Sequence, residues 1–600
     1  MTMLLAKVDG SGSELASWSP LSSLLILFAL ILVALALFGR NGGNVESRTA
    51  RFLLRTPDAL ERLTKVPGWA AAVVGLSLYG LLVAGEGFYS DVAWHITLGR
   101  DDSLFTAPHT SIVLGLGFIF LAALVGVGFA SLQQVDTALR WKAVRIPWST
   151  LPLFTLGGAA LLGFPLDEIW HRTYGVDVTM WSPTHMLMIL GASFSGLASW
   201  LVLAEAGVRP AKWGRGMLAV ASWLTLQGLS APLGEFSFGV PQFQQMFHPL
   251  ILCIASGFAL VAIRLVHGRF WALGVAVVNF ALMSSNLLSF GSGGDGPVET
   301  RNAGIFVASA LAVEVIAFVL GTRRSIRFAV ASGIGVGTLG LAGEWAWNQR
   351  AYQPWTTNLL PDAVILGTIG AVAAAIVGLA FARAAGLAAG VDEETNRPAP
   401  QLVALAGLVV LVSLALPMTR HVGDVEAAVS IEPAGSTTAT SLTDATEQAF
   451  VEVRLDPPSG AAEARWFQAS AWQGGGLVLA DMKEISSGVY RSEEPVPVGG
   501  NWKTLLRLHR GGELMTVPVF LPADPAIHEP EISAVDRTQK FEPETRYLLR
   551  ETRPGQMLVA SLVYVLLVVV AMAWIASFAI AAVRIGRGTS QTRPAQQVHA

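Results

Sequence analysis

The sequence DVAWHITLGRDDSLFTAPH, from Asp91 to His109, returns further along the chain as DEIWHRTYGVDVTMWSPTH, from Asp167 to His185. The chain has ten histidines, and four of them lie in this repeat. Each copy predicts the end of one helix, a loop and the start of the next helix. At one offset of 76 positions, without a gap, seven residues recur, so that Asp91, Trp94, His95, Gly99, Asp101, His109 and Gly115 become Asp167, Trp170, His171, Gly175, Asp177, His185 and Gly191.

The composition around this repeat is that of a membrane protein. The 600 residues are 52% hydrophobic and 14% charged, and the mean hydropathy is +0.53. Apolar runs of this length can cross a bilayer as helices. We therefore expect an all-α polytopic membrane protein with thirteen spans, at 21–38, 69–88, 110–130, 150–166, 186–204, 216–234, 249–266, 271–290, 303–320, 328–345, 363–382, 401–418 and 557–582.

The domain organisation follows from a change of composition near the C-terminal end. Residues 1–418 form the predicted membrane domain, with the two repeat copies at 91–115 and 167–191. Residues 419–556 are polar and contain short alternating runs between Gly, Pro and Asn turns, which predicts a small all-β sandwich followed by a Pro-rich linker. Residues 557–600 supply the last span and a tail.

Basic residues in the loops predict the orientation. Lys and Arg cluster in every second loop, and such clusters stay preferentially in the cytoplasm. We therefore expect a multi-pass cell-membrane protein with its N-terminus outside, its C-terminus in the cytoplasm, and both repeat copies and the β domain on the exoplasmic side. The lipid bilayer is then its first partner. A net charge of −3 with dispersed basic residues indicates no nucleic-acid partner.

The repeated residues predict metal sites. Asp91 and His95 are four residues apart, so they share one helix face, and His109 opens the next helix of the hairpin. Asp167, His171 and His185 repeat this arrangement. A carboxylate and two imidazoles suit copper, zinc or iron. The chain has a single cysteine, Cys253, so thiolate clusters are excluded.

One alternative to this interpretation stays open, and one addition to it concerns the loops. Asp, Trp and His at a membrane boundary can form an interfacial belt without a metal. Asp101 and Asp177 lie in the loops and could orient a histidine from behind.

Three further polar groups are weaker candidates. Glu235 and His248 flank the loop of GEFSFGVPQFQQMFHP and are candidate metal ligands, although a polar loop beside an ordinary helix start is an equal alternative. A degenerate third copy places Glu344, Asn348 and Asp362 at the repeat spacing and is interpreted as structural or as a proton and water site. Glu314 is either a proton carrier or a buried, protonated carboxyl group bonded to a backbone carbonyl.

The pattern Asp-x3-His-x13-His resembles the metal motif of the C subunit of copper membrane monooxygenases, the particulate methane and ammonia monooxygenases. The resemblance implies copper as the cofactor, held by Asp91, His95 and His109 and again by Asp167, His171 and His185. The segment GVYRSEEPVPVGGNWKTLLRLHRGGELMTVPVFLPAD resembles YtkA/FixH-type immunoglobulin-like domains.

Two functions of different class follow. The first is a copper-dependent membrane oxidoreductase, similar to a monooxygenase, that acts on a small apolar substrate. The alternative is a protein of copper transport, copper resistance or metallocentre assembly without catalysis, served by a periplasmic copper donor or by other membrane subunits. A catalytic site requires an open coordination position and a substrate pocket.

Overall fold

A computed structural model describes residues 19–40, 42–99, 106–174, 180–207, 214–284, 304–323, 325–386, 398–417, 423–436, 447–525, 528–548 and 557–591. Within these ranges the membrane part is helical, and the helices are α1 (Ser19–Arg40), α2 (Arg48–Thr64), α3 (Gly68–Thr97), α4 (Ala107–Leu132), α5 (Thr150–Tyr174), α6 (Pro183–Ser193), α7 (Ser195–Glu205), α8 (Gly214–Ser230), α9 (Gly234–Ser237), α10 (Phe247–His267), α11 (Trp271–Ser284), α12 (Val307–Leu320), α13 (Ser325–Gly335), α14 (Leu341–Asn348), α15 (Leu360–Ala384), α16 (Pro400–Ala415), α17 (Thr545–Leu548) and α18 (Met557–Gln591).

The predicted spans correspond to helices. Among the described residues, nine helical segments are long and apolar enough to cross a membrane. The other four predicted spans are the shorter helices α8, α11, α12 and α16, of 17, 14, 14 and 16 residues. The polytopic helical class is therefore confirmed. Two spans are interrupted: α6 and α7 meet at Phe194, and a π-helical turn, Val336–Gly340, joins α13 to α14.

The two hairpins that carry the repeat, α3 with α4 and α5 with α6, pack beside one another. Helix α18 packs against the second hairpin. The Trp574 indole of α18 donates a hydrogen bond of 2.9 Å to the Thr155 carbonyl of α5. Ser577 lies 3.2 Å from the Thr155 hydroxyl, oxygen to oxygen. The last helix therefore follows the β domain in sequence but returns to the hairpin of the second repeat copy.

The polar segment forms an all-β domain, as predicted. Its strands follow a short hairpin of the membrane part, β1 (Leu139–Trp141) and β2 (Val144–Ile146), and they are β3 (Glu426–Ser436), β4 (Glu447–Asp456), β5 (Ala464–Trp472), β6 (Leu477–Ser486), β7 (Val489–Ser492), β8 (Val496–Pro497), β9 (Lys503–Arg510), β10 (Glu513–Phe520), β11 (Arg537–Lys540) and β12 (Glu542–Pro543). They pair in the order β11-β3-β4-β7-β6-β5-β9-β10-β12, with β8 on β4, and every pair is antiparallel. Val451, Phe467 and Leu506 lie together in the hydrophobic core of this domain.

Two parts of this domain differ from the sequence expectation. The alternating runs lie between Phe450 and Asp524 and correctly located β4 to β10. They missed β3, although it pairs with β4 along almost its whole length. The Pro-rich segment that was expected to be a linker is partly built into the domain. Its strand β11 pairs with β3, and β12 pairs with β10. These short strands form because they pair with strands that are far away in the sequence. The local sequence pattern therefore does not predict them.

Trp502, which ends the Gly-Asn-Trp sequence before β9, is buried, with 6% of its surface exposed. Its ring lies directly over Gly474, where a Cβ atom would come within 2.3 Å of the indole. The turn after β5 therefore requires glycine at this position, because no side chain could occupy the same space.

His509 gives the β domain a predicted pH dependence. Burial, together with the positive charges of Arg465 and Arg507, holds the pKa of His509 well below its ordinary value. The folded protein therefore keeps His509 neutral, whereas the unfolded chain takes up a proton below about pH 6.5. The contribution of His509 to the free energy of unfolding is therefore fully present above that pH. As the pH drops below it, the free energy of unfolding should fall by up to about 1.4 kcal/mol per pH unit.

Thermal unfolding of the full-length protein in detergent between roughly pH 5 and 7 checks this expectation. His509→Phe keeps an aromatic ring against Trp466, whose centroid lies 5.1 Å from that of His509. The variant should unfold with a shallower pH dependence than the parent protein. Equal slopes for the two proteins would show that another group controls the acid sensitivity.

Candidate metal centre

The first hairpin, α3 and α4, places three repeat residues at one end of the membrane domain. Asp91 and His95 lie one turn apart near the end of α3, and His109 lies in the first turn of α4. The Thr106 side chain accepts a hydrogen bond from the His109 backbone N–H, which caps the helix. The cap fixes where α4 begins, and His109 therefore faces back toward α3. We call Asp91, His95 and His109 the first triad.

The second hairpin, α5 and α6, repeats this construction. Asp167 and His171 lie on α5, and Ser182 accepts a hydrogen bond of 3.2 Å from the backbone N–H of His185 in α6. Ser182 stands 76 positions after Thr106, so the helix cap also belongs to the repeat. Asp167, His171 and His185 form the second triad.

Close contact between the two helices of each hairpin lets the ligands meet. A Cβ atom at Gly115 of α4 would lie 2.4 Å from the backbone nitrogen of Ala84 in α3, and one at Gly87 would lie 2.7 Å from the nitrogen of Ile112. At the counterparts Gly163 and Gly191, a Cβ atom would lie 2.9 Å from Met188 Cγ and 2.7 Å from Ala160 Cβ, again across the two helices of the hairpin. Small residues allow membrane helices to approach this closely.

The ligand atoms of the first triad converge. Asp91 Oδ1 lies 3.0 Å from His109 Nε2 and 3.7 Å from His95 Nε2. The other ring nitrogen of His95, Nδ1, lies 3.0 Å from the carbonyl oxygen of Gly99. Because a carbonyl can only accept, Nδ1 carries the proton, and Nε2 presents its lone pair toward Asp91.

The second triad has similar spacings and a different support. Asp167 Oδ2 lies 3.3 Å from His185 Nε2 and 3.6 Å from His171 Nε2. The Thr184 hydroxyl donates a hydrogen bond to the opposite oxygen, Oδ1. That bond orients the carboxylate so that Oδ2 faces both imidazoles. In the first triad the position of Thr184 is taken by Pro108, which has no hydroxyl group.

Both triads fit a metal ion. In each, the three ligand atoms lie within 4.8 Å of one another. Neighbouring ligands at about 2.0–2.2 Å from an ion stand roughly 3.0–3.6 Å apart, which is close to the measured separations. Asp91 Oδ1 and His171 Nε2 are buried atoms without a hydrogen bond of good geometry. A buried polar atom left in this way is costly, and an ion would satisfy it.

The two triads open onto one cavity of about 240 Å³. Asp91, His95, His109, Asp167 and His185 all line it. Most of the remaining wall is apolar and comes from α3, α4, α6 and α8, while Trp472 and Gln473 of the β domain contribute at one end. The repeat therefore builds two sites that share one cavity.

Glu235 also lines the cavity, outside both triads. Its carboxylate accepts a hydrogen bond of 2.9 Å from the Trp181 indole and one of 2.5 Å from the backbone N–H of Gln242. Burial raises the pKa of the Glu235 carboxyl group, and these two bonds oppose the shift. Gln242 also lines the cavity, whereas Gln244 and Gln245 donate hydrogen bonds to the carbonyls of Gly512, Gln353 and Pro354.

His248 lies apart from the two triads. Its Nδ1 accepts a hydrogen bond of 3.1 Å from the Trp355 indole, and its ring stacks on Phe236 with 4.8 Å between centroids. It is not among the grouped metal-ligand side chains of the described residues. These contacts fix His248 between two aromatic rings, and its ligand role stays a prediction.

The third repeat copy is occupied by structural hydrogen bonds. Glu344 accepts from the backbone N–H groups of Ile305 and Phe306, at 3.2 and 2.6 Å. Asn348 accepts from the backbone N–H of Trp355 at 2.6 Å. These contacts agree with the structural interpretation of this copy.

Glu314 has partners that the sequence did not indicate. Its carboxylate lies 2.8 Å from the Nε of Arg264, in α10, and it also accepts from the backbone N–H of Ala272 at 3.1 Å. Arg264 is 50 positions away in the sequence, so only the packing of α10 against α12 shows the pair. Glu314 is held in a buried ion pair.

Some residues of the site were missed, and two predicted ones cannot be placed. Asp101 and Asp177 lie outside the described residues. The N-caps Thr106 and Ser182 could have been predicted from the sequence, since Ser or Thr just before the start of a helix is typical of an N-cap. Gln473 could not have been predicted, because it belongs to the β domain and lies far from the triads in the sequence.

No known family model matches the chain, and no solved structure matches it. The chain is similar to two rice proteins, CMP-sialic acid transporter 1 of Oryza sativa subsp. japonica and of subsp. indica, at 28% identity over 161 residues. The match covers 26% of this chain and spans about half, 46%, of the length of these curated relatives. The chain is a multi-pass membrane protein with an all-β domain and two groups of side chains that could hold metal ions.

Proposed function

We propose that this protein is a copper-dependent membrane oxidoreductase whose two triads hold copper ions beside a common substrate cavity. The observation that carries the proposal is the shared cavity, since both triads present ligand atoms to one mainly apolar space. A protein that only passes copper onward needs exposed ligands and no such space, whereas a catalytic site needs a pocket beside an open coordination position.

The charges around the cavity support a cation there. Four carboxyl groups of the described residues line the wall, those of Glu86, Asp91, Asp167 and Glu235. Among the described residues that line it there is no lysine or arginine. Uncompensated carboxylates are expensive in a low-dielectric site, so bound metal ions are the natural counter-charge.

The same charges disfavour a nucleotide sugar as the ligand. The rice proteins are named for CMP-sialic acid, which carries a phosphate and a carboxylate. Anionic groups of this kind are bound by Arg, Lys or helix N-termini. A cavity wall with four acidic side chains, and no lysine or arginine among the described residues, would bind them poorly.

Copper is proposed over zinc and iron because of the motif resemblance to the C subunit of copper membrane monooxygenases; the donor set of two imidazoles and one carboxylate suits all three metals. When bound, copper would supply one-electron chemistry with dioxygen. A monooxygenase reaction would insert one oxygen atom into the substrate and reduce the other to water, with two electrons and two protons from a reductant.

We further propose that the triads and the β domain face the exoplasm, on the strength of the basic loops predicted to be cytoplasmic. Copper would then reach the sites from a periplasmic donor, and other membrane subunits could deliver electrons.

The test combines metal analysis with turnover. The full-length protein, purified in detergent and loaded with copper, should retain two ions per chain, and the Asp91→Ala/Asp167→Ala variant none. With a quinol as reductant and a short-chain alkene as substrate, dioxygen uptake should depend on the substrate and be lost in this variant. If the protein retained zinc or iron in place of copper, the assignment of copper as the bound metal would be wrong. Copper binding without turnover, with release to an apo-acceptor, would favour copper handling.

A further inference from the structure

The end of α3 is completed by the β domain. The last carbonyls of a helix have no partner within the helix. Here the backbone N–H of Gln473 donates to the Ile96 carbonyl at 2.8 Å, and that of Gly475 donates to Thr97 at 2.9 Å. The Gln473 side chain donates through Nε2 to the carbonyl of His95 at 3.1 Å. Three consecutive carbonyls of the metal-site helix are therefore capped from another domain.

Gln473 also touches the residue that orients the His95 ring. Gly99, whose carbonyl faces His95 Nδ1, has a φ angle of +90°, and a Cβ atom built on it would lie 3.4 Å from Gln473 Cδ. The Gln473 amide therefore lies against Gly99 and under the backbone of His95 at the same time. Gln473 itself has a φ angle of +67° and only 9% of its surface exposed, so the turn that presents it is tightly held.

We propose that Gln473 is a positioning residue of the first triad, and that the turn from Gln473 to Gly475 makes the β domain a structural part of that metal site. The inference rests on the proposed metal binding at the first triad. By holding the His95 carbonyl and Gly99, Gln473 fixes the backbone and the ring of one ligand. Residues that orient a ligand in this way typically contribute about 10–100-fold to metal affinity.

The second triad provides an internal reference. Its carboxylate is oriented by Thr184, from within its own hairpin. Loss of the Gln473 amide should therefore weaken copper at the first triad and leave the second triad unchanged. A general loosening of the protein would affect both.

The experiment uses two parent proteins, each full-length and each with one triad removed. Asp167→Ala/His185→Ala leaves the first triad, and Asp91→Ala/His109→Ala leaves the second. Gln473→Met, which keeps the chain length without a donor, is added to each, and copper affinity is measured by competition with a chelator. We expect about a 10-fold or larger loss in the first parent and no change in the second. The Cu(II) EPR spectrum should change only in the first.

Gln468→Met is the matched control, because Gln468 is a buried glutamine of the same domain that donates to the Tyr352 carbonyl at 2.9 Å, away from α3. It should leave copper affinity at the first triad unchanged. Gln473→Asn keeps an amide and suits a positive φ angle but cannot reach His95, so it should behave like Gln473→Met even if the methionine variant folds poorly. Unchanged affinity for the Gln473 variants, or equal losses in both parents, would overturn the inference. A first parent that binds no copper would refute the proposed function itself.

Discussion

His95→Ala is expected to remove one of the two copper ions from the purified protein, and His171→Ala to remove the other. Among the described residues each triad offers three protein ligand atoms, so the loss of one imidazole leaves a carboxylate and one histidine. Two such ligands hold a divalent ion far more weakly than three. Copper content per chain, measured after loading and desalting, should fall from two to one in each single variant and to zero in the double variant.

Asn348→Ala is the control for this prediction, because it stands at the position of the third repeat copy that corresponds to His95. It removes the hydrogen bond to the Trp355 backbone and should cost some stability. Its copper content should nevertheless equal that of the parent protein. If the His95→Ala and His171→Ala variants keep both ions, the triads do not hold them. That result would favour the interfacial-belt alternative and remove the basis of the proposed function.

Glu544→Ala is expected to destabilise the β domain strongly, because it breaks a buried ion pair. Glu544 accepts two hydrogen bonds from Arg507, from Nε at 3.0 Å and from Nη2 at 2.9 Å, and the two side chains are 2% and 0% exposed. Removal of one partner leaves a buried, uncompensated guanidinium, which typically costs roughly 3–5 kcal/mol. For a domain of this size the unfolding temperature should fall by on the order of 10 °C.

Thermal unfolding of full-length variants in detergent measures this effect. The double variant Arg507→Met/Glu544→Leu removes both charges, and it should recover much of the lost stability because no buried charge remains at this position. Arg507 also bonds to the Pro241 carbonyl beside the cavity, so the double variant should still lose this anchor to the membrane domain. A drop for Glu544→Ala no larger than about 1 kcal/mol, as for an exposed pair, would contradict the account.

The sequence by itself determined the membrane class, the positions of the spans and the composition of the two triads. Hydrophobic runs mark the spans because a helix in lipid satisfies its own backbone and needs only apolar side chains. Asp91 and His95 are on one face because four residues make about one helical turn. His109 comes back to them because a hairpin reverses the chain. Each of these inferences depends on residues close together in sequence.

Only the tertiary structure decided what the triads share and what surrounds them. The common cavity, the Arg264 partner of Glu314 and the Gln473 cap on α3 all join residues that are far apart in the sequence. The cavity depends on how two hairpins pack, and the cap depends on where the β domain meets the membrane domain. Local periodicity carries no information about such contacts, because they arise from the complementarity of whole surfaces that form only when the chain is folded.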